Sequence, residues 1–332
     1  MSQPLLEIRA LKKHFVRRVS PLGALLGRRG VVVPAVDGVD LDLDENESVG
    51  VAGESGCGKT TLGMTVVRLH DPTAGEIRFR GEEISRLRGR GLKRFRREAQ
   101  IIFQDPYASL NPRLAVGRAV EEPLRIHGVA PAERPERVAT ALQRAQLPPT
   151  PDFLRRFPHE LSGGQRQRVA IARAIVLGPR FIVADEPVSM LDVSIRAGVI
   201  ELLTGLASSL GLTLVYISHD LSTIRYICQR TAVMYLGRIV EIGPTEEVIQ
   251  RPLHPYSAAL VSAIPEIDVT ARRERVRLRG DLPDPAAQRS GCRFRDRCPR
   301  AMARCADAEP ALEEAAPGHS VACFLYHEPG RS

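Results

Sequence analysis

Two stretches decide the fold of this 332-residue chain, GESGCGKT at residues 53–60 and LSGGQRQR at residues 161–168. The first follows the short apolar run Ser48–Ala52 and precedes a helix-forming segment, and strand, loop and helix in that order are the setting of a phosphate-binding loop. Its glycines allow backbone N–H groups to wrap around phosphates, and the helix N-terminus adds a favourable dipole. Lys59 is expected to neutralise the β- and γ-phosphates of a nucleotide, and the Thr60 hydroxyl to ligate Mg²⁺. The sequence therefore predicts a nucleoside triphosphate site.

Polar side chains stand at the ends of three further apolar, strand-like segments: Asp185 with Glu186, Gln104, and His219. A carboxylate at the end of a strand can hold Mg²⁺ through its water shell, and the next one can polarise the attacking water. We therefore assign Asp185 to the metal and Glu186 to the general base. His219 is expected to contact the γ-phosphate and hold the water in line, and Gln104 to sense Mg²⁺ and the γ-phosphate.

A helix that opens with LSGGQ is the signature of the ABC ATPases, and the whole chain resembles the ATP-binding subunit of a dipeptide/oligopeptide-type ABC importer. The motifs that carry the resemblance lie within residues 5–250: the phosphate loop, Gln104-Asp105-Pro106, the signature at 161–165, and residues 181–192 and 219. The resemblance implies an α/β fold, an ABC-type P-loop ATPase with a RecA-like core, an antiparallel β subdomain and a helical subdomain. It also implies ATP hydrolysis coupled to peptide import across the cytoplasmic membrane.

The same resemblance assigns further residues to the nucleotide. Phe15 matches the aromatic residue that stacks on adenine, and Asp192 matches the loop that couples two ATP sites. Ser162, Gly163 and Gly164 would face the γ-phosphate held by a partner subunit. The nucleotide-binding set is then Phe15, Gly53, Glu54, Ser55, Gly56, Cys57, Gly58, Lys59, Thr60, Thr61, Gln104, Ser162, Gly163, Gly164, Gln165, Asp185 and Asp192. Within the site, Mg²⁺ is assigned to Thr60, Gln104 and Asp185, and catalysis to Glu186, His219 and Gln104.

The remaining segments indicate how the chain is organised. Residues 121–146 read as helical with a break at 128–131, and residues 18–30, rich in Gly and Arg, read as a loop inserted before a strand at 31–33. Near Arg251 proline and arginine become frequent and apolar runs shorten, which predicts a separate C-terminal extension over residues 251–332. Its start, His254–Leu260, is similar to the extension of peptide permease ATPases, and the 18–30 loop is similar to their F-type rather than D-type subunit.

Four of the six cysteines lie in this extension, at Cys292, Cys298, Cys305 and Cys323. Disulfides are disfavoured in a cytosolic protein, and structural zinc usually takes closer Cys-x-x-Cys pairs. Thiolates at wider spacing, with proline directly after Cys298, suit a [4Fe–4S] cluster. Related permease ATPases are also understood to carry such a cluster at matching cysteines. An iron–sulfur cluster that staples a small module is therefore the prediction, with zinc as the alternative.

Composition and the resemblance together predict the location and the partners. The start of the chain lacks a basic segment followed by an apolar run, so no signal peptide is expected, and the strand-length apolar runs are too short to cross a bilayer. The net charge of +8 comes mostly from arginine, and it favours an anionic membrane surface over nucleic acid. The resemblance implies a peripheral protein on the cytoplasmic side of the inner membrane. Its partners would be a second, related ABC ATPase subunit, two transmembrane permease subunits and, indirectly, an extracytoplasmic peptide-binding protein.

Two other functions compete with transport. A nucleic-acid ABC ATPase would carry a long coiled-coil or zinc-bearing insertion between phosphate loop and signature, whereas about 100 residues intervene here. A cysteine-rich basic tail could still serve as a nucleic-acid module, although few aromatic residues are available for stacking. A scaffold that no longer hydrolyses ATP is disfavoured because Lys59, Asp185, Glu186 and His219 are all present.

Overall fold

The computed structural model describes residues 3–17, 31–263, 280, 283–284, 286 and 290–326. The predicted loop at 18–30 lies outside the described residues. Two sheets organise the described chain, one of eight strands and one of four. Helices pack against them as an α/β fold.

The larger sheet carries the residues predicted to bind the nucleotide. Its strand order is β11-β12-β10-β9-β3-β8-β7-β6, and neighbours from β9 to β6 run parallel. β3, β7 and β8 are buried at every position, which is the pattern of parallel strands covered on both faces. The strands are β3 Ser48–Ala52, β6 Ala99–Ile102, β7 Phe181–Asp185, β8 Thr213–Ser218, β9 Arg230–Tyr235, β10 Arg238–Pro244, β11 Glu313–Ala316 and β12 His319–Val321.

The smaller sheet is antiparallel, in the order β2-β1-β4-β5. Its strands are β1 Leu6–Arg17, β2 Val31–Leu43, β4 Ala74–Phe79 and β5 Glu82–Glu83. Ile8, Val36 and Ile77 of this sheet share one buried cluster with Val49 and Val51 of β3. The antiparallel sheet therefore packs against the strand that feeds the phosphate loop.

Twelve α-helices lie among the described residues. They are α1 Lys59–Val66, α2 Gly89–Glu98, α3 Pro106–Ser109, α4 Val116–Ile126, α5 Arg134–Arg144, α6 Pro151–Arg155, α7 Gly163–Ile175, α8 Val193–Leu210, α9 Leu221–Ile227, α10 Thr245–Gln250, α11 Pro255–Ser262 and α12 Arg304–Asp307. Helices α4 to α7 pack together through apolar faces such as Val120, Leu142 and Ile171. The predicted helical break falls between α4 and α5, where Gly128 has φ 74° and a short 3₁₀ turn, Pro131–Glu133, follows.

Only α8, within the described part of the chain, is long and apolar enough to span a membrane by length and composition. The sequence predicted no segment of that kind. Val199, Leu202, Leu203 and Leu206 of this helix are buried in the protein core, so these four side chains already have partners within the fold.

The C-terminal segment joins the larger sheet. β12 pairs with β10 through Glu241↔Val321 and Ile242↔Ser320. Glu241 is fully buried and accepts hydrogen bonds from the backbone N–H groups of Leu253 (2.9 Å) and His254 (2.8 Å). Its Oε1 also lies 2.8 Å from Nε2 of the buried His319. One carboxylate thus fastens both the beginning and the end of the C-terminal segment to the sheet.

Glu241→Ala is expected to lower the free energy of unfolding by about 3–5 kcal/mol, because it leaves buried donors without an acceptor. Glu201→Ala, on the exposed side of α8, should change it by less than about 0.5 kcal/mol. The chain has no tryptophan, so urea unfolding is best followed by far-UV circular dichroism. Equal urea midpoints for the two variants would show that Glu241 does not fasten the segment.

Candidate nucleotide site

The phosphate loop runs from β3 into α1 with a backbone that only glycine adopts easily. Gly53, Gly56 and Gly58 have φ values of 153°, 82° and 110°. A Cβ at Gly58 would lie 2.1 Å from the carbonyl oxygen of Ala35, so both conformation and space require glycine there. Lys59 is 5% exposed, and its Nζ donates to the carbonyl oxygens of Gly53 (2.7 Å) and Glu54 (3.0 Å). The lysine is therefore held over the loop that would wrap the phosphates.

A cavity of about 460 Å³ opens over this loop. Gln104, Glu186 and His219 line its other side, so the structure brings the three predicted catalytic side chains to one place. Its described lining is Val33, Pro34, Ala35, Ser55, Gly56, Cys57, Gly58, Lys59, Thr60, Thr61, Gln104, Glu186, His219, Leu236 and Gly237. The wall made by residues 33–35 and 236–237 was not predicted, because these residues carry no nucleotide motif.

Nine residues of the predicted nucleotide set are absent from this lining: Phe15, Gly53, Glu54, Ser162, Gly163, Gly164, Gln165, Asp185 and Asp192. Phe15 pairs across the strands with Val33, which does line the cavity. Its ring is 37% exposed and stands edge-on to His70, with ring centroids 5.5 Å apart. The adenine-stacking role of Phe15 stays a prediction.

Thr60 and Asp185 form the oxygen-rich side of the site. The Thr60 hydroxyl donates to Oδ1 of Asp185 at 3.1 Å, across from α1 to the end of β7. Burial raises the pKa of the Asp185 carboxyl, and the hydrogen bond from Thr60 opposes this. Hydroxyl and carboxylate oxygens are ligands that Mg²⁺ prefers, so these two residues fit the predicted metal.

Glu186 lies at the centre of the predicted catalytic group. Its Oε2 accepts a hydrogen bond from Nε2 of Gln104 at 3.1 Å and lies 3.1 Å from Nδ1 of His219. Its backbone has φ 44°, and its N–H donates to the carbonyl oxygen of Ile217 in β8 at 2.9 Å. A left-handed conformation at a non-glycine residue is unfavourable and tends to occur at functional sites. The strand ends therefore fix this carboxylate in the cavity.

The signature forms the start of α7. The Ser162 hydroxyl accepts from the N–H of Gln165 (3.2 Å), and the Gln165 side chain accepts from the N–H of Ser162 (3.1 Å), a reciprocal capping box. A Cβ at Gly164 would lie 2.7 Å from Cγ2 of Ile195, so glycine lets α7 approach α8 closely. Asp192 is exposed and precedes α8. None of these residues lines the described cavity. The signature of one chain therefore lies outside the cavity that its own phosphate loop helps to form.

The four cysteines of the C-terminal segment lie near one another. The N–H of Cys292 donates to the carbonyl oxygen of Cys305 at 2.8 Å. Burial, together with the charges of Cys305, Cys323 and Cys298, raises the pKa of the Cys292 thiol to about 11. Burial also raises the pKa of Cys298 and Cys323. Within the described ranges, no three His, Cys, Asp or Glu side chains form a group that could hold a metal ion, so the predicted cluster is not confirmed.

Comparison with known families and proteins agrees with this geometry. The ABC transporter family matches residues 36–189, and the family of the oligopeptide/dipeptide transporter C-terminal region matches residues 240–305. A putative peptide import ATP-binding protein of Brucella ovis is 52% identical over 322 residues, which cover 97% of this chain and 98% of that protein. The oligopeptide transport ATP-binding protein AppF of Bacillus subtilis is 47% identical, with 98% of each chain covered. The dipeptide transport ATP-binding protein DppF of Haemophilus influenzae is 44% identical, with 97% of this chain and 96% of that protein covered.

Solved structures match the ATPase part of the chain. The ATP-binding cassette MJ0796, in a dimeric post-hydrolysis state with ADP and Pi, aligns with a TM-score of 0.62 and 29% identity over 72% of this chain and 98% of that one. The cbiO1 protein of Clostridium perfringens, part of the ABC transporter complex cbiONQ, aligns with a TM-score of 0.62 and 26% identity over 75% and 92%. The chain therefore belongs to the family of ATP-binding subunits of oligopeptide/dipeptide-type ABC transporters and is an ABC ATPase.

Proposed function

We propose that this chain powers peptide import as one of two related ATPase subunits that close head to tail on ATP. The observation that carries the proposal is the separation of its two motifs. The cavity holds the phosphate loop, whereas Ser162 is exposed at the start of α7 and outside the described lining. A single chain therefore supplies half of each composite site. The signature of this chain would face the γ-phosphate on its partner, with Asp192 near the junction.

In the closed pair of subunits, each residue of the cavity has a separate role in ATP hydrolysis. Lys59 and the N–H groups of the loop bind the β- and γ-phosphates and hold the γ-phosphate in place. Glu186 takes a proton from the attacking water, and His219 holds that water in line. Thr60, Gln104 and Asp185 would hold Mg²⁺, which neutralises charge on the phosphates when bound. Because Glu186 already contacts Gln104 and His219, little rearrangement is needed before the reaction.

The surface from Gln104 to Asn111 is our proposed contact with two transmembrane permease subunits. It includes α3, where Tyr107 is 58% exposed. The guanidinium of Arg166 in α7 lies 3.8 Å from the centre of the Tyr107 ring. Arg173 of the same helix donates to the carbonyl oxygen of Ser109 at 2.8 Å. A movement of this surface would thus be passed to the helix that carries the signature, which links transport to closure of the ATP site.

With two permease subunits in the membrane as its partners, the proposed subunit would lie on the cytoplasmic side of the inner membrane as a peripheral protein. An extracytoplasmic peptide-binding protein would deliver the cargo to the permease subunits and would meet this chain only through them. The test is isolation of the membrane complex through a tagged Glu186→Gln chain with ATP present. Recovery of a second ABC ATPase and two permeases is expected. Recovery of the chain alone, bound to DNA, would overturn the proposal in favour of a nucleic-acid ATPase.

We further propose that residues 251–332 act as an extension held together by a [4Fe–4S] cluster on Cys292, Cys298, Cys305 and Cys323. The support is the wide spacing of the four cysteines, with proline directly after Cys298, which suits a [4Fe–4S] cluster better than the close Cys-x-x-Cys pairs of structural zinc sites. A cluster would cross-link a small segment and stabilise its fold.

The cluster has a direct test. Protein purified without oxygen should contain about four iron atoms per chain and no stoichiometric zinc. Cys298→Ser should lose the iron. Cys228 is a buried cysteine between α9 and β9, outside the C-terminal segment, so Cys228→Ser should keep the iron. Iron-free wild-type protein with one zinc per chain would reject the cluster in favour of the alternative metal.

A further inference from the structure

The phosphate loop carries an acidic residue, Glu54, at its second position. A carboxylate beside a polyphosphate site repels the ligand unless its charge is paired or turned away. Glu54 does not line the described cavity, although its carbonyl oxygen accepts from Nζ of Lys59 at 3.0 Å. Some group must therefore hold this carboxylate behind the loop.

Arg297 of the C-terminal segment is that group. Its Nη1 donates to Oε2 of Glu54 at 2.6 Å and its Nη2 to Oε1 at 3.0 Å. This is a two-pronged contact, the strongest geometry for an arginine–carboxylate pair. The Arg297 side chain is 7% exposed and the Glu54 side chain 28%, so solvent screens the pair less than it would screen a surface pair.

The backbone of Glu54 is held by the same segment. Its N–H donates to the hydroxyl oxygen of Tyr256, in α11, at 2.8 Å. Tyr256 is fully buried, and its ring centre lies 4.7 Å from that of Tyr235 and 5.5 Å from that of Phe294. Side chain and main chain of one loop residue are thus both bound by residues beyond 250.

A second arginine of the segment supports the neighbouring wall of the cavity, where the N–H of Gly237 donates to the carbonyl oxygen of Cys57 at 2.8 Å. Arg293 bonds to the Asp37 carboxylate and donates to the carbonyl oxygen of Leu236 at 2.6 Å. Leu236 lines the cavity, and Asp37 lies just beyond residues 33–35, which also line it. The C-terminal segment therefore contacts both the phosphate loop and the wall next to it.

We propose that Arg297 is a positioning residue for ATP binding: it holds the Glu54 carboxylate away from the phosphates, so that the C-terminal extension completes the ATP site. Tyr256 assists by fixing the N–H of the same residue. This gives the extension a role in nucleotide binding, in addition to any role in holding a metal cluster. It rests on the ATPase activity of the family and not on the identity of the cargo.

The test is the dissociation constant of a fluorescent ATP analogue with Mg²⁺, measured on the full chain in its purified complex. Arg297→Met frees the Glu54 charge and should weaken binding about 10–100-fold, because the unpaired carboxylate then repels the phosphates. Adding Glu54→Gln to that variant removes the freed charge and should restore binding to within about threefold of wild type. The maximal hydrolysis rate at saturating ATP should change far less than the affinity.

The controls separate positioning from simple anchoring of the segment. Arg295→Met lies in the same turn, where Arg295 pairs with Asp296, and should bind ATP like wild type. Tyr256→Phe keeps the buried ring but removes the acceptor for the Glu54 N–H, and should weaken binding about fivefold or more. This second variant tests the account even if Arg297→Met does not fold. Wild-type affinity in the folded Arg297 and Tyr256 variants, or no rescue by Glu54→Gln, would overturn the proposal.

Discussion

Glu186→Gln is expected to lower the rate of ATP hydrolysis by about 10²–10⁴-fold while leaving ATP binding intact. The glutamine keeps the size of the side chain and one hydrogen-bonding oxygen toward Gln104 and His219, but it cannot accept the proton of the attacking water. The measurement is phosphate release by the purified complex at saturating ATP, together with the affinity for the fluorescent analogue.

A matched variant is the control for this measurement. Glu201→Gln makes the same chemical change on the exposed side of α8 and should leave phosphate release unchanged. If Glu186→Gln retained more than about a third of the wild-type rate, the carboxylate would not be the general base. The composite site would then need another proton acceptor among the residues of the cavity.

Lys59→Ala is expected to weaken ATP binding by at least about tenfold, and by about 100-fold if both phosphate contacts are lost. Lys59 is nearly buried and already aligned along the loop through Gly53 and Glu54. Alanine removes both the positive charge and these bonds. The measurement is again the equilibrium affinity for the fluorescent ATP analogue.

Lys93→Ala is the control for this change, because Lys93 is an exposed lysine of α2. Its affinity for ATP should equal that of the wild type. Equal affinities for the Lys59 and Lys93 variants would contradict the assignment of residues 53–60 as the phosphate loop.

The sequence predicted the central part of this molecule because its signals are local. The buried runs at 48–52, 181–185 and 213–218 became neighbouring parallel strands. Residues that follow such strands meet at one edge of the sheet, and this explains why Glu186 and His219, each predicted to act in catalysis, line the same cavity. The helical break near Gly128 was also predictable, because its signal likewise lies in the local sequence.

Other features depend on contacts between distant residues. Nothing in the neighbourhood of Arg297 indicates a bond to Glu54, because 243 positions separate the two residues. The pairing of β12 with β10 likewise depends on the buried Glu241, whose partners come from two separate places in the chain, residues 253–254 and 319. Cysteine spacing predicted that the four thiols bind one metal cluster, but spacing alone does not determine how close the thiols come to one another.

Reconstitution of the complex in liposomes with its peptide-binding protein tests most directly whether this chain converts ATP hydrolysis into peptide import. Uptake of labelled peptides and phosphate release are measured together. Peptide should raise ATP hydrolysis, and uptake should require ATP and disappear with Glu186→Gln. Hydrolysis that ignores peptide and depends on added DNA, with no uptake, would contradict the account.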